Sequence, residues 1–287
     1  MAYDSHPGAS ALPEREQGGG VPRLFQFDLP RLKTGQVFPE GLDLTRVYRV
    51  LDVACGTGEW VIAAAQAFPQ FEVVGIDGDQ ETLAQARLRA SGHNTITFSA
   101  ANAQPPFDIP TAAFDLINVR FVANNTPLTA WPTLIEECLR IVRPGGVILC
   151  TEGDTPITSS LACERLNNML SDALGQTGQN LFPPIRSGRN FLITPLLERV
   201  LVDAGCQNVQ KAIHVTDFGY GTSAQADLAG EYTRICQLAQ PVILQMSMTT
   251  QPEMEHLRQQ LLSEMQSEGF RGVGFYRTVW GNKPQGQ

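Results

Sequence analysis

Residues 50–60 read VLDVACGTGEW. A run of β-formers ends near an acidic residue, Asp52. A turn of small residues follows, with glycines at Gly56 and Gly58, and then a helix-forming stretch. A strand, a glycine turn and a helix in this order form the approach of a doubly wound sheet to a nucleotide-like ligand. Glycines let the backbone come close, and the helix start offers unpaired N–H groups.

The spacing narrows the ligand. A dinucleotide fingerprint is G-x-G-x-x-G/A. Here the small residues fall at Ala54, Gly56 and Gly58, with Cys55 between the first two, so the third follows the second after one residue. Asp52 stands at the strand end and faces the loop. A carboxylate there repels a diphosphate and attracts an ammonium group. The turn therefore suits a nucleoside carrying a cationic amino acid.

Outward from the turn, βα alternation is regular. Strands are expected at 49–54, 71–76, 95–99, 114–119 and 147–152, and helices at 58–68, 79–91 and 131–142. The strands are nearly all apolar, as expected when helices cover both faces of a parallel sheet. Helices at 158–175 and 191–204 and a strand at 208–218 follow. Two further helical patterns, 224–246 and 252–268, precede a last strand at 271–280. These two helices do not fit within the sheet. They are expected to cap its C-terminal edge; a homodimer surface is their alternative use. The fold class is α/β: a doubly wound, mostly parallel seven-stranded sheet with a helical cap inserted before the last strand. Its parts are a tail at 1–22, an arm at 23–48, a cofactor half at 49–155, an acceptor-side half at 156–221, the cap at 222–269 and a final strand and tail at 270–287.

Composition excludes several classes. A net charge of −8 without a basic run argues against a nucleic-acid binder. No stretch approaches the ~20 apolar residues of a membrane span, and the first ten residues lack the pattern of a secretion signal. The six cysteines form no C-x-x-C pair, and no histidine cluster has metal-ligand spacing, so no metal is expected. Buried, reduced thiols in a cytoplasmic protein are the expectation.

Four further signals stand in order after the turn: Asp77 in VVGIDGD, Asn102-Ala103 after the third strand, FDLINVR at 114–120 and LRIVRPGGVIL at 139–149. Together the five resemble the class I S-adenosylmethionine-dependent methyltransferases. The nearest likeness is to the small-molecule branch that includes ubiquinone and menaquinone C-methyltransferases. The resemblance is strong over about residues 40–155 and only topological beyond 156. It implies S-adenosylmethionine as cofactor, with Gly56 against its methionine portion and Asp52 toward its ammonium. Asp77 corresponds to the ribose-binding carboxylate and Gly78 to the position beside adenine. Asn102 and Ala103 correspond to the adenine-reading pair, with Asn102 in place of the commoner Asp. Arg120 stands near the methionine end.

Methyl transfer needs a base only if the acceptor must lose a proton. Glu152, Asp154 and His214 are the candidates, Glu152 being preferred because it ends the fifth strand at the cleft. No Asn/Asp-Pro-Pro-Tyr motif follows the fourth strand, so adenine or glutamine N-methylation is not expected. The acceptor is expected to be a small apolar or aromatic metabolite. A non-methylating enzyme on the same scaffold and a silent cofactor-binding regulator are the alternatives, because the cofactor motifs do not speak to the acceptor.

Overall fold

The computed structural model describes residues 37–101, 105–123, 126, 128–176 and 193–286. In chain order the first half runs β1 (Arg49–Val53), α1 (Glu59–Ala67), β2 (Glu72–Asp77), α2 (Gln80–Arg89), β3 (Ile96–Ala100), β4 (Phe114–Arg120), α3 (Trp131–Ile141) and β5 (Val142–Gly153). The second half runs β6 (Ile157–Thr158), α4 (Leu161–Gln176), α5 (Leu197–Asp203), β7 (Gln207–Asp217), α6 (Gln225–Gln245), α7 (Gln251–Gln266) and β8 (Gly272–Asn282).

All eight strands join one sheet in the order β3-β2-β1-β4-β5-β8-β6, with β7 pairing β8. The first five are mutually parallel, and β8 runs antiparallel between β5 and β7. The expected count of seven is corrected to eight by β6. Its two residues, paired Ile157↔Val273 and Thr158↔Gly272, carry the line of β5 further along β8. A second correction concerns β5, which starts at Val142 rather than 147: Val142 already pairs with Phe114, and an irregularity separates that pair from Leu116↔Val147. The helix expected at 191–204 is a 3-10 turn at Thr194–Leu196 followed by α5; residues 191 and 192 lie outside the described set.

Alternate residues of each central strand go to opposite faces, and both faces are buried. Leu51, Ile117, Ile148, Cys150 and Val279 pack with Trp131, Leu134 and Ile135 of α3 and Leu197 and Leu201 of α5. Val50, Leu116, Leu149 and Trp280 pack with Trp60 and Val61 of α1 and Leu83 of α2. This explains the uninterrupted apolar strands.

The part of the arm that is described, from Val37, belongs to the second face. Phe38 meets Trp60 edge-on at 5.3 Å, and the Trp60 indole N–H donates to the Val37 carbonyl at 3.2 Å. A third cluster joins α4, α6 and α7 around Tyr232, with Phe218, Phe270 and Tyr276 from the sheet side. α7 starts with a capping box, in which Thr250 and Glu253 satisfy each other's backbone N–H groups. All six cysteines are buried. Among the described residues no helix is long and apolar enough to cross a membrane, and no group of three or more His, Cys, Asp or Glu could hold a metal.

Candidate active site

The turn after β1 is a left-handed staircase. Ala54, Gly56 and Gly58 have φ of 60°, 55° and 78°. L-residues avoid this region, so two of the three being glycine follows from the backbone. Gly58 has a second reason. A Cβ there would stand 2.6 Å from Phe98 Cζ and 3.1 Å from Ala86 Cβ. The conformation leads directly into α1, whose first N–H groups have no intrahelical acceptor.

Asp77 shapes this turn. It ends β2, is fully buried, and accepts from Gly56 N–H through Oδ2 and from Asp79 N–H through Oδ1, both at 2.9 Å. Asp79 in turn caps α2, accepting from Glu81 and Thr82 N–H. Gly78, between them, is exposed. Asn102 and Ala103 lie outside the described residues.

Asp52 lies on β1 opposite Asn118 of β4. The Asn118 amide donates to Asp52 Oδ1 at 2.7 Å, and both residues are buried. Burial raises the Asp52 pKa from 3.8 to about 7, against the pull of the Arg120 guanidinium and the Asn118 hydrogen bond. Among the described residues, none hydrogen-bonds the buried Asn118 Oδ1. Sequence alone did not single out Asn118. Its role depends on the β1–β4 register, which joins residues 66 apart in the chain.

Arg120 ends β4, with its guanidinium over the Trp60 ring at 5.9 Å and the Phe121 ring at 5.4 Å. Its positive charge favours the ionised form of two buried carboxyls, Asp52 on β1 and Glu152 on β5. Burial raises Glu152 as well, from 4.5 to about 8, with Arg120 opposing the rise. The Glu152 Oε1 accepts from Val122 N–H at 2.7 Å and Ala123 N–H at 3.2 Å. These bonds make Glu152 a brace under the loop after β4. Glu152→Ala is expected to cost about 2–4 kcal/mol, because two buried N–H groups lose their acceptor. Glu152→Gln keeps an acceptor oxygen and should lose markedly less. Denaturant unfolding of both variants checks this; equal losses would refute the brace.

Of the three base candidates, Glu152 and Asp154 are near enough for the Asp154 charge to help raise the Glu152 pKa, whereas His214 stands apart. Asp154 accepts from the Thr194 hydroxyl at 2.6 Å, and burial raises its pKa. His214 sits on β7 opposite Tyr276, which is itself opposite Gly153. It therefore shares a sheet face with Gly153, not with Glu152. Burial lowers its pKa.

Residues 50–146 match the family model described as a methyltransferase domain. The demethylmenaquinone methyltransferase of Geobacillus kaustophilus is 36% identical over 112 residues, covering 38% of this chain and 46% of that protein. The enzyme of the same name from Lactococcus lactis is 33% identical over 135 residues, covering 46% of this chain and 50% of that protein. The chain thus matches about half the length of these curated relatives. In fold, the crystal structure of YcgJ from Bacillus subtilis covers 89% of this chain and 97% of its own, with a TM-score of 0.50 at 15% identity. The left-handed turn and strands β2 to β4 all lie within residues 50–146, the stretch that matches the methyltransferase domain model.

Proposed function

We propose that the chain transfers a methyl group from S-adenosylmethionine to a small apolar or aromatic metabolite. The observation that carries this is the turn itself: left-handed residues at 54, 56 and 58 above a buried carboxyl, Asp52, with no basic residue in the turn. Those features suit a cationic amino acid and not a diphosphate. The names of the two relatives, both quinone-type methyltransferases, support an acceptor of this class.

The cofactor, when bound, supplies a methyl carbon whose bond to sulfur breaks as the bond to the acceptor forms. The chain's own work is placement. Asp52, fixed by Asn118, offers its carboxylate to the ammonium. Asp77 holds the Gly56 amide and so fixes the turn. Asp77 is also the residue assigned to the ribose, and Gly78 with Asn102 and Ala103 to the adenine. Ala54, Cys55 and Gly58 complete the cradle. Arg120, stacked on Trp60, stands beside Asp52. Glu152 acts as a positioning residue through the loop after β4; Asp154 and His214 stay as candidates to receive an acceptor proton.

In the same proposal residues 23–48 are an arm, 49–155 bind the cofactor, 156–221 and the cap at 222–269 form the acceptor side, and 270–287 close the sheet. The cysteines are buried and none is in a disulfide, which supports a cytoplasmic setting.

Incubation with methyl-labelled S-adenosylmethionine and a panel of quinols, phenols and terpenoids tests the proposal. Label in a product together with one S-adenosylhomocysteine per turnover is expected. Conversion without label transfer would refute methylation.

A further inference from the structure

The loop after β4 holds an unusual residue. Phe121 has φ of 51°, a left-handed conformation that a bulky side chain rarely adopts. The strain is held from both sides. Phe121 N–H donates to Thr151 O at 3.0 Å, and Glu152 fixes the next two amides. Strained residues that a structure over-determines in this way cluster at ligand sites.

Where the strained backbone sends the ring is informative. Phe121 packs against the cap cluster formed by α4, α6 and α7. Among the described residues it is the one member from the first half of the chain. Its ring meets Tyr276 edge-on, with centroids 6.1 Å apart and planes at 80°. Tyr276 lies across Gly153 at the end of β5, where a Cβ would stand 2.7 Å from its ring. The Arg120 guanidinium also lies over the Phe121 ring, 5.4 Å from its centroid. The ring is only partly buried. It therefore spans the gap between the cofactor turn, reached through Arg120 and Trp60, and the apolar cap.

We propose that Phe121 is the acceptor-selecting residue: its ring, in contact with Arg120 and Tyr276, is the wall against which a flat aromatic or quinoid acceptor packs. This rests on the methyltransferase reading above. An aromatic ring on Phe121 gains offset or edge contacts that an aliphatic chain does not. The guanidinium beside it favours an electron-rich ring oxygen at the same place.

The test compares wild type, Phe121→Asn and Phe121→Tyr. Asparagine tolerates the left-handed backbone and removes the ring; tyrosine keeps the ring. Phe121→Leu replaces the asparagine variant if that one fails to fold. Each is assayed with methyl-labelled S-adenosylmethionine on an alkylated 1,4-naphthohydroquinone, an alkylphenol and a linear prenyl alcohol, and titrated with S-adenosylhomocysteine. The asparagine variant is expected to lose roughly 10-fold or more in kcat/KM on the ring acceptors, chiefly through KM. Its S-adenosylhomocysteine affinity should stay within about twofold. The tyrosine variant should keep ring preference.

Unchanged ring preference without the aromatic side chain overturns the inference alone. So does turnover of the prenyl alcohol but of neither ring acceptor by the wild type. Failure of the wild type to bind S-adenosylhomocysteine overturns the methyltransferase reading, and the inference with it.

Discussion

Gly58→Ala is expected to lower the free energy of unfolding by about 2–5 kcal/mol and to weaken S-adenosylhomocysteine binding. Two costs add. A left-handed alanine costs roughly 1–2 kcal/mol. The new methyl group also has nowhere to go, since its Cβ would lie 2.6 and 2.9 Å from two atoms of the Phe98 ring. That ring is buried and already fills the space over Gly75, where a Cβ would meet it at 2.8 Å. Forcing a methyl into such a site costs about 1–3 kcal/mol. The control is Ala54→Gly, four residues earlier. Ala54 has φ of 60°, so glycine removes strain there. It should leave stability between unchanged and about 1 kcal/mol higher. Denaturant unfolding measures both. Equal effects of the two substitutions would mean that the left-handed staircase does not govern this turn.

Asp52 yields the second large effect, and its sign depends on pH. Burial raises its pKa in the folded chain from 3.8 to about 7. The folded state therefore keeps the proton to higher pH than the unfolded state does. Between about pH 4 and 7 this group lowers stability as pH rises, by at most about 1.4 kcal/mol for each pH unit. Below that window its full favourable share is present, and above it no further loss occurs. Glu152 acts in the same direction between about 4.5 and 8. Asp52→Asn should remove the Asp52 part of the slope and be more stable than the wild type at pH 8.

The same substitution should damage binding. An ammonium beside Asp52 favours the ionised carboxylate, so S-adenosylhomocysteine binding releases a proton near neutral pH. Wild-type affinity should rise from pH 6 to pH 8. Asp52→Asn should bind on the order of 30-fold more weakly at pH 8, equivalent to ~2 kcal/mol, and show a flatter profile. A variant that is more stable yet binds less well separates a ligand-binding carboxylate from a structural one. Loss of stability at pH 8 with unchanged affinity would assign Asp52 to the fold alone.

Much of the first half was legible because local signals agree. The helix expected at 79–91 is α2, Gln80–Arg89, with Asp79 as its cap and Gly92 beyond it at φ 94°. Within the turn, the small residues at 54, 56 and 58 are the ones with positive φ. What escaped the sequence depends on contacts between strands. Asn118 looks like an ordinary strand residue until β4 is placed beside β1. Glu152 stands one residue before the end of β5, and its bonds to two amides exist only because the loop after β4 folds back over it. Phe121 carries no local signal at all, since phenylalanine is among the residues least expected at φ 51°. The acceptor side is harder still. α4, α6 and α7 read as amphipathic helices, but which of their apolar residues face a ligand depends on packing that spans residues 121 to 276.

The measurement that bears most directly on the cofactor turn is calorimetric titration of the purified chain with S-adenosylhomocysteine and, separately, with NAD at pH 8. One-to-one binding of S-adenosylhomocysteine, weakened by Gly58→Ala and by Asp52→Asn, with no heat from NAD, is the predicted result. Binding of NAD and none of S-adenosylhomocysteine would contradict it.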